Sequence, residues 1–210
     1  MRIGMIGAGN IGATAARLFL EAGHEVALSN SRGPSTLTGL AQRLGEGARA
    51  ATVEEAARFG EVAMEAIPFG EFRELPAEAL EGRIVISASN YYPARDGEVD
   101  FEGLTQTGLV ARHLSGSRVV KAFNTVFWKH LRDQGDPSRP MEERRAVPLA
   151  GDDGEAKERV AGLIEEIGFA PVDLGGLEEG GRRMEPGSPI YAEDLTPPEM
   201  RDVLEEEEEG

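Results

Sequence analysis

Three glycines near the beginning of the chain have the spacing of a phosphate-binding turn. The segment Gly7-Ala8-Gly9-Asn10-Ile11-Gly12 matches the pattern GxGxxG. In such a turn the first glycine permits a sharp bend, the second lets a pyrophosphate approach the backbone, and the third lets a helix pack closely on a sheet. The unpaired N–H groups at the start of that helix would then attract the phosphates. The pattern alone is weak, and a glycine turn without a ligand is the alternative interpretation.

The residues that follow the second predicted strand bear on the choice of cofactor. Residues 26–34 contain neither Asp nor Glu and include Ser29, Asn30, Ser31 and Arg32. An acidic side chain about 20 residues after the glycines would hold the ribose of NAD, whereas a guanidinium can hydrogen-bond the 2′-phosphate of NADP. The sequence therefore favours NADP. The alternative is a polar surface turn in which Arg32 has no special role.

Polar and apolar residues that follow three later strands are candidates for the rest of the cleft. Dinucleotides lie across the carboxyl ends of parallel strands, so these residues would line the crevice: Ile67, Pro68, Ser89, Asn90, Asn124 and Thr125. The amide or hydroxyl groups of Asn90, Asn124 and Thr125 could orient a nicotinamide ring. For each of these three, a turn residue that bonds its own backbone is a competing interpretation.

The elements that must position these residues alternate along the chain. Residues 2–6 predict a strand, 11–20 a helix that ends at Gly23, and 26–28 a second strand, which together begin a βαβ unit. Further helices are predicted at 37–44, 53–59, 72–80, 104–113 and 155–167, the last capped by Asp153, and further strands at 49–52, 62–67, 84–88, 118–123, 147–150 and 170–174. This alternation predicts an α/β fold with a doubly wound parallel sheet. We divide the chain into residues 1–174, the nucleotide-binding domain, and residues 175–210, a short irregular acidic extension that could fold over the carboxyl edge of the sheet.

Other chemically conspicuous residues carry weaker signals. His24, His113 and His130 have no partner motif, so we interpret them as structural. Lys121 lies inside an apolar strand and would either project into the crevice or extend to its rim. The paired acids at 152–153 and 165–166 lack a third ligand at a useful spacing, so no metal site is predicted. No residue is assigned as catalytic.

Composition narrows the class of protein. The 210 residues carry a formal net charge of -16, which argues against nucleic-acid binding. The chain has no cysteine, which excludes disulfides and thiolate chemistry. No apolar run is long enough for a membrane span or a signal sequence, so a cytoplasmic protein is expected. The acidity is uneven, because residues 1–49 hold five arginines against three glutamates. The predicted phosphate sites thus lie in a locally positive part of the chain.

The sequence resembles the family of NADPH-dependent coenzyme F420 reductases and their bacterial relatives. The resemblance rests on residues 3–12, 29–34, 89–97, 120–125, 150–157 and 168–175 and covers nearly all of the chain to about Leu174. Residues 121–125, Lys-Ala-Phe-Asn-Thr, are also similar to the NADPH domain of the STEAP ferric reductases. The loop with Tyr91 and Tyr92 and the acidic carboxyl-terminal part differ from the family pattern.

The resemblance implies a Rossmann domain that binds NADP(H), a deazaflavin or flavin ring stacked on the nicotinamide, and a homodimer. Carried over by motif, Gly7, Gly9, Asn10, Ile11 and Gly12 would hold the pyrophosphate, and Asn30, Ser31 and Arg32 would hold the 2′-phosphate. Pro68, Ser89, Asn90 and Asn124 would line the nicotinamide side. The implied reaction is hydride transfer between NADPH and coenzyme F420 or a flavin, which depends on the placement of two rings more than on a general acid.

Two other functions compete with this hypothesis. One is reduction of a small imine or keto acid, although the residues after Leu174 are too few and too acidic to form the large helical domain that such reductases carry. The other is an NADPH-binding sensor whose acidic segment contacts a partner. The sequence predicts a small-molecule acceptor as the partner, with no nucleic acid and no membrane.

Overall fold

A single eight-stranded sheet forms the centre of the computed structural model, which describes residues 1–209. The strands are β1 (Arg2–Ile6), β2 (Glu25–Ser29), β3 (Ala48–Ala50), β4 (Val62–Glu65), β5 (Ile84–Ser87), β6 (Arg118–Ala122), β7 (Ala146–Gly151) and β8 (Ala170–Asp173). Their order in the sheet is β3-β2-β1-β4-β5-β6-β7-β8. The chain leaves β1 first toward one side and then toward the other, so a topological switch point lies between β1 and β4. In open α/β sheets, ligands bind outside the carboxyl ends of the strands at such a point.

Helices cover both faces of the sheet. They are α1 (Asn10–Glu21), α2 (Thr38–Leu44), α3 (Val53–Phe59), α4 (Ala77–Leu80), α5 (Pro93–Asp96), α6 (Gln106–His113), α7 (Trp128–Asp133), α8 (Gly154–Glu166), α9 (Glu179–Arg182) and α10 (Pro197–Glu209). One core joins α1, α7 and α8 to the sheet, and a second core joins α4 and α6 to its other face. The predicted Rossmann-type α/β fold is confirmed. No helix in the described part of the chain is long and apolar enough to cross a membrane.

Local sequence explains where several helices begin. Thr52 and Glu55 form a capping box at α3, in which the Glu55 N–H donates to Thr52 Oγ1 at 3.2 Å and the Thr52 N–H donates to Glu55 Oε2 at 2.8 Å. Asp153, the predicted cap of α8, accepts the Ala156 N–H at 2.8 Å. Each such cap contributes about 1 kcal/mol because it satisfies an N–H that the helix cannot pair itself.

The sheet departs from the predicted all-parallel arrangement at β7. This strand pairs antiparallel with β6, with Ala122 opposite Leu149, whereas β8 is parallel to β7. A parallel return would need a crossover that spans the length of the sheet. The intervening residues contain Gly135, Pro137 and Pro140 and form only the short helix α7 and a 3₁₀ turn, so the chain re-enters the sheet from the edge where β6 ended.

Two predicted elements differ locally. The helix expected at 72–80 is instead a 3₁₀ helix at Phe69–Glu74 followed by α4, because Pro76 lacks the N–H that a continuous helix needs. The extension expected to be irregular ends in α10, which begins after Thr196 and buries Met200 and Leu204 against Ala146 and Ile190. Burial of each of these two side chains contributes about 1.5–3 kcal/mol. The acidic run at 205–209 is exposed at 205–207, while the side chains of 208 and 209 and all of Gly210 lie outside the described residues.

Candidate functional site

The glycine turn lies at the switch point and has the geometry that the sequence predicts. Gly7 has a φ of +103°, which L side chains rarely adopt, and its N–H donates to the Ser29 carbonyl at 3.0 Å. A Cβ on Gly12 would collide with the Gly7 carbonyl, so the fold itself requires both of these glycines. A Cβ on Gly9 would meet nothing within 4 Å. The fold alone does not demand a glycine there, whereas a pyrophosphate close to the backbone would.

The first turn of α1 is suited to an anion. Gly9 is its N-cap and offers no side-chain oxygen to the first N–H groups, and the first turn contains no acidic residue. These N–H groups and the positive end of the helix dipole therefore remain available to a ligand. The protein meets the requirements of a dinucleotide pyrophosphate at Gly9, Asn10 and Ile11, while Gly12 supports the site from beneath.

One half of the cleft extends from this turn toward Arg32. It has a volume of about 290 Å³, and its lining includes Gly7, Gly9, Asn30, Ser31, Arg32, Ile67 and Pro68. Asn30 Oδ1 accepts the Arg32 N–H at 3.0 Å, and Asn30 Nδ2 donates to Thr36 Oγ1 at 3.0 Å, so the loop is held in one shape. The Arg32 side chain is exposed and has no ion pair among the described residues. It is therefore free to receive a phosphate.

Two acidic residues that line this half were not predicted from the sequence. Glu71 and Glu74, from the 3₁₀ helix at Phe69–Glu74, line the same space as Arg32. Glu74 lies within the helix predicted at 72–80 and Glu71 directly precedes it, and nothing in their local sequence marks them as cleft residues. Their carboxylates restrict the favourable position for a second phosphate to the Arg32 side.

The other half of the cleft is built from residues after β4, β5 and β6. It has a volume of about 400 Å³ and shares Gly9, Ala66, Ile67 and Pro68 with the first half, so the two halves adjoin at these residues, and we call them together the groove. The predicted residues in its lining are Gly9, Asn10, Ile11, Ile67, Pro68, Ser89, Asn90, Asn124 and Thr125. All the residues proposed from sequence except Gly12 therefore line this groove.

Asn90 and Asn124 hold each other in place at the centre of the second half. Asn124 Nδ2 donates to Asn90 Oδ1 at 2.9 Å and to the Met184 carbonyl at 2.6 Å, and Asn90 Nδ2 donates to the Asn124 carbonyl at 2.7 Å. These acceptors fix the orientation of the Asn124 amide. Its Oδ1 is buried and has no donor in the part of the chain that the structure describes. A ligand N–H, such as that of a carboxamide, would satisfy it.

Part of the carboxyl-terminal extension forms one wall of the second half of the groove. The sequence suggested only that residues 175–210 could fold over the carboxyl edge of the sheet. Tyr191 and Ala192 line the second half of the groove. The Ala192 N–H donates to the Thr125 carbonyl at 3.1 Å, Asn90 Nδ2 donates to the Tyr191 hydroxyl at 3.2 Å, and the hydroxyls of Tyr191 and Tyr92 are hydrogen-bonded. Burial raises the pKa of Tyr191, so its phenol stays neutral.

A buried arginine anchors this wall. Arg145 donates to Gln134 Oε1 at 2.6 Å, to the Glu193 carbonyl at 2.9 Å and to the Asp194 carboxylate. His130 Nδ1 lies 2.8 Å from the same carboxylate. This cluster fixes residues 193–194 and thereby the adjoining Tyr191. The residues of this cluster come from distant parts of the sequence, so no local pattern predicts the cluster.

Aromatic side chains form the outer rim of the second half. Phe127 is 47% exposed and Tyr92 39%, and both line the groove together with Trp128. Lys129 Nζ lies 5.7 Å and Arg132 Cζ 5.4 Å from the centre of the Trp128 ring. Arg132 is paired with Asp133, with Nη2 2.6 Å from Oδ2, so its charge is largely balanced there. The rim therefore offers flat apolar surfaces beside the ammonium group of Lys129, which suits an aromatic ligand that carries negative charge.

A buried carboxyl group lies directly behind the groove. Glu65, at the end of β4, accepts hydrogen bonds at Oε1 from Ser87 Oγ at 2.5 Å and from Ser89 Oγ at 2.8 Å. Burial raises the pKa of Glu65 to about 7, against the opposing effect of these hydrogen bonds. Sequence reasoning missed Glu65, because a single acid at the end of an apolar strand has no motif.

Lys121 neither enters the crevice nor reaches its rim, contrary to both sequence-based alternatives. Its side chain is fully buried, and Nζ donates to Thr107 Oγ1 at 3.0 Å. Burial lowers the pKa of Lys121 to about 8, and the carboxylates of Glu185 and Glu65 oppose that shift. The strand alternation places it on the face covered by α6 rather than at the open end of the sheet.

The three histidines lie outside both halves of the groove. His24 bonds to Glu166 at 2.6 Å, His113 to the Leu75 carbonyl at 2.9 Å, and His130 belongs to the Arg145 cluster. Their structural interpretation is consistent with these contacts. Among the described residues, no group of three metal-ligating side chains is gathered in one place.

Comparison with known proteins adds to this geometry. Residues 2–91 match the family described as NADP oxidoreductase, coenzyme F420-dependent. The hypothetical protein SMa0349 of Sinorhizobium meliloti is 32% identical, with a TM-score of 0.81 and coverage of 93% of this chain and 95% of its own. A proposed F420-dependent NADP reductase of Arthrobacter sp. FB24 is 23% identical, with a TM-score of 0.70 and coverage of 84% and 86%, and at that identity it supports the fold alone.

A mammalian relative matches over a similar span. The metalloreductase STEAP3 of Rattus norvegicus is 28% identical over 178 residues, which is 84% of this chain. The chain spans about a third of the length of that relative, since the match covers 34% of it.

Proposed function

We propose, from the premise that the chain belongs to the family of coenzyme F420-dependent NADP oxidoreductases, that it transfers a hydride between NADPH and a flat ring acceptor of the deazaflavin or flavin class. The observation that carries this proposal is the pair of adjoining cavities that form the groove, with Gly9 and Arg32 suited to phosphates at one end and the aromatic side chains of Phe127 and Trp128 at the other. Pro68 and Ile67 lie where the two ends meet.

The chain would hold NADPH at three places along the groove. The N-terminal turn of α1 receives the pyrophosphate, Arg32 receives the 2′-phosphate, and Asn124 Oδ1 accepts from the carboxamide. NADPH supplies the hydride when it is bound. Such a reaction needs two rings face to face at near-attack distance, so the main contribution of the protein is placement.

The rim would position the acceptor. Phe127 and Trp128 offer flat surfaces to a ring, and Lys129 beside Trp128 would attract an anionic tail. Tyr191 and Tyr92, whose hydroxyls are hydrogen-bonded to each other, also line this half and would limit the entry of water. Exclusion of water strengthens polar contacts in the groove and protects a reduced acceptor.

The direct test is reduction of a ring acceptor by the purified chain. NADPH is mixed with oxidised F420, FMN or FAD, and the visible absorbance of the acceptor is followed together with NADPH oxidation. We expect at least one of the three to be bleached. Gly9→Val serves as a control, because the space around Gly9 keeps the fold intact while the added side chain blocks the pyrophosphate.

Three other results would contradict the proposal. NADPH that binds, as measured by its fluorescence, without reduction of any of the three rings would overturn it. Reduction of a cyclic imine or a keto acid alone would favour the small-substrate reductase. Tight NADPH binding with no oxidation by any acceptor would favour a sensor. The homodimer that the resemblance implies is a separate proposal, which light scattering after size-exclusion chromatography would test.

A further inference from the structure

Three polar side chains lie side by side in the core behind the groove. Glu65 of β4 is in register with Ser87 of β5, which is in register with Lys121 of β6, and none of the three is more than 1% exposed. Ionisable groups at such positions cost stability, and apolar residues of similar size would pack there without that penalty. The binding of NADPH described above uses neither Glu65 nor Lys121. Their presence therefore calls for another explanation.

Ser89 connects this buried group to the groove. Its hydroxyl is 2.8 Å from Glu65 Oε1, and Ser89 itself lines the second half of the groove. Ser87 bonds to the same carboxyl oxygen but does not line the groove. A hydroxyl has one hydrogen, so Ser89 can donate either to Glu65 or into the groove. When Glu65 is protonated it can donate to Ser89, whose own hydrogen is then free to point toward a ligand.

We propose that Glu65 stores the proton that the acceptor takes up on reduction, and that Ser89 passes it into the groove. This inference rests on the proposed function. Glu65 does not line the groove and acts only through Ser89, whose hydroxyl would touch the reduced ring.

The step balances without any further reactant. The hydride brings one hydrogen and two electrons to the acceptor, which leaves negative charge on its ring. The O–H bond of the Glu65 carboxyl breaks as that proton moves to Ser89 Oγ, and the Ser89 hydroxyl proton moves to the ring. The products are NADP⁺, the fully reduced acceptor and the Glu65 carboxylate. After the product leaves, a hydronium ion or buffer acid from the solvent gives a proton to Ser89 Oγ, and the Ser89 hydroxyl proton moves to the Glu65 carboxylate.

The surroundings of Glu65 allow it to change protonation near neutral pH. Burial raises its pKa to about 7, and the hydroxyls of Ser87 and Ser89 and the Ile67 N–H oppose that shift. The charged groups nearby are Lys121 on β6 and Glu185 after α9, while α6 contributes the neutral Thr107 and Gln106. Because the protonated form donates, the rate of reduction should fall as pH rises through about 7.

The first measurement needs no acceptor. Infrared spectra of the wild type should show the C=O band of a protonated carboxyl that disappears with a midpoint near pH 7, and Glu65→Gln should lack that band. A Glu65 that is already ionised at pH 5 would overturn the proposal. Thermal melting of Glu65→Gln confirms that the variant is folded.

The second measurement compares the steady-state kinetics of three variants, Glu65→Gln, Ser89→Ala and Ser87→Ala. Glu65→Gln and Ser89→Ala should each lower kcat by roughly 100-fold, the lower end of general-acid effects, and remove the fall in rate between pH 6 and 8 and the solvent isotope effect. Ser87→Ala is the matched control, since it removes a hydrogen bond to the same oxygen outside the groove. Its rate should still fall as pH rises, with a shifted midpoint and without the roughly 100-fold loss of kcat.

The results separate the two proposals. Equal losses in Ser87→Ala and Ser89→Ala, or a wild-type pH profile in Glu65→Gln, would overturn the proton path and leave hydride transfer standing. A wild type that binds NADPH but reduces no ring acceptor would overturn the proposed function, and this inference with it.

Discussion

The two ends of the groove are built from different parts of the protein. The phosphate end uses mainly the backbone of residues 7–12, in which Gly7 and Gly12 shape the turn and α1 offers its N–H groups, together with the side chain of Arg32 from the loop after β2. The nicotinamide end uses side chains from four places in the sequence, among them Asn90, Asn124 and Tyr191. A site made from backbone is specified by a short motif, whereas one made from side chains depends on topology. We therefore expect substitutions in the turn at residues 7–12 to affect cofactor affinity more than substitutions around Tyr191 do.

The largest effect should come from a pair of glycine variants at the phosphate end. Gly12→Val places a side chain against the Gly7 carbonyl, so we expect a loss of about 3 kcal/mol in the free energy of unfolding, together with loss of NADPH binding. Gly9→Val should leave the unfolding midpoint unchanged, because the space there is open, while NADPH affinity falls at least about 100-fold. Urea denaturation and NADPH fluorescence measure the two quantities. A Gly9→Val protein that binds NADPH normally would remove the phosphate site from this turn.

The next effect concerns stability at the nicotinamide end. The folded pKa of Glu65 is raised from 4.5 to about 7, so its contribution to stability is complete below about pH 4.5 and is lost as pH rises through 7. On this account, Glu65→Gln should be more stable than the wild type at pH 8 by up to about 3 kcal/mol, with little difference at pH 4.5. Denaturation curves at both pH values measure it. A pH-independent difference would mean that Glu65 is not buried as described.

A third, smaller effect should separate the two nicotinamide cofactors. Arg32→Ala removes the guanidinium that we propose receives the 2′-phosphate, and a hydrogen bond to a charged group contributes about 1.5–3 kcal/mol. NADPH affinity should therefore fall by roughly 10–100-fold, while NADH affinity changes little. Titration with each cofactor measures the ratio. Equal losses for both cofactors would show that Arg32 does not recognise the 2′-phosphate.

The smallest effect should lie at the acceptor wall. Tyr191→Phe removes the hydroxyl that pairs with Tyr92 and Asn90 but keeps the ring. We expect the KM for the acceptor to rise by a few-fold, in line with one neutral hydrogen bond of about 1 kcal/mol, without a change in NADPH affinity. Tyr91→Phe is a neighbouring control, because the Tyr91 hydroxyl bonds to the Gly97 carbonyl instead. A loss of NADPH affinity in Tyr191→Phe would contradict the separation of the two ends.

Prediction from sequence worked best where information is local. The strand at Arg2–Ile6 and the helix at Val53–Phe59 have the predicted bounds, and Asp153 caps α8 as expected. The glycine turn and the residues after β4, β5 and β6 could be placed because the carboxyl ends of parallel strands meet at one edge.

Prediction from sequence failed where contacts between distant residues determine the local structure. The direction of β7 depends on how residues 123–145 fold back, and no periodicity within β7 itself reports that. The helix α10 is stabilised by Met200 and Leu204 packing on Ala146, which an acidic segment does not suggest when read alone. The environment of Glu65 depends on Ser87 and Ser89, which belong to and follow the neighbouring strand β5, so no local pattern around Glu65 predicts it.

The reversed strand β7 affects the order in which the groove can be completed during synthesis. Because β7 and β8 run antiparallel to β6, β8 ends at the side of the sheet away from the groove. The chain must then return along one face of the sheet before Tyr191 can bond to Asn90. Residues 184–192 leave the ribosome after all eight strands. Since chains fold from the amino terminus as they emerge, a nascent chain could form its phosphate-binding end before its acceptor wall exists.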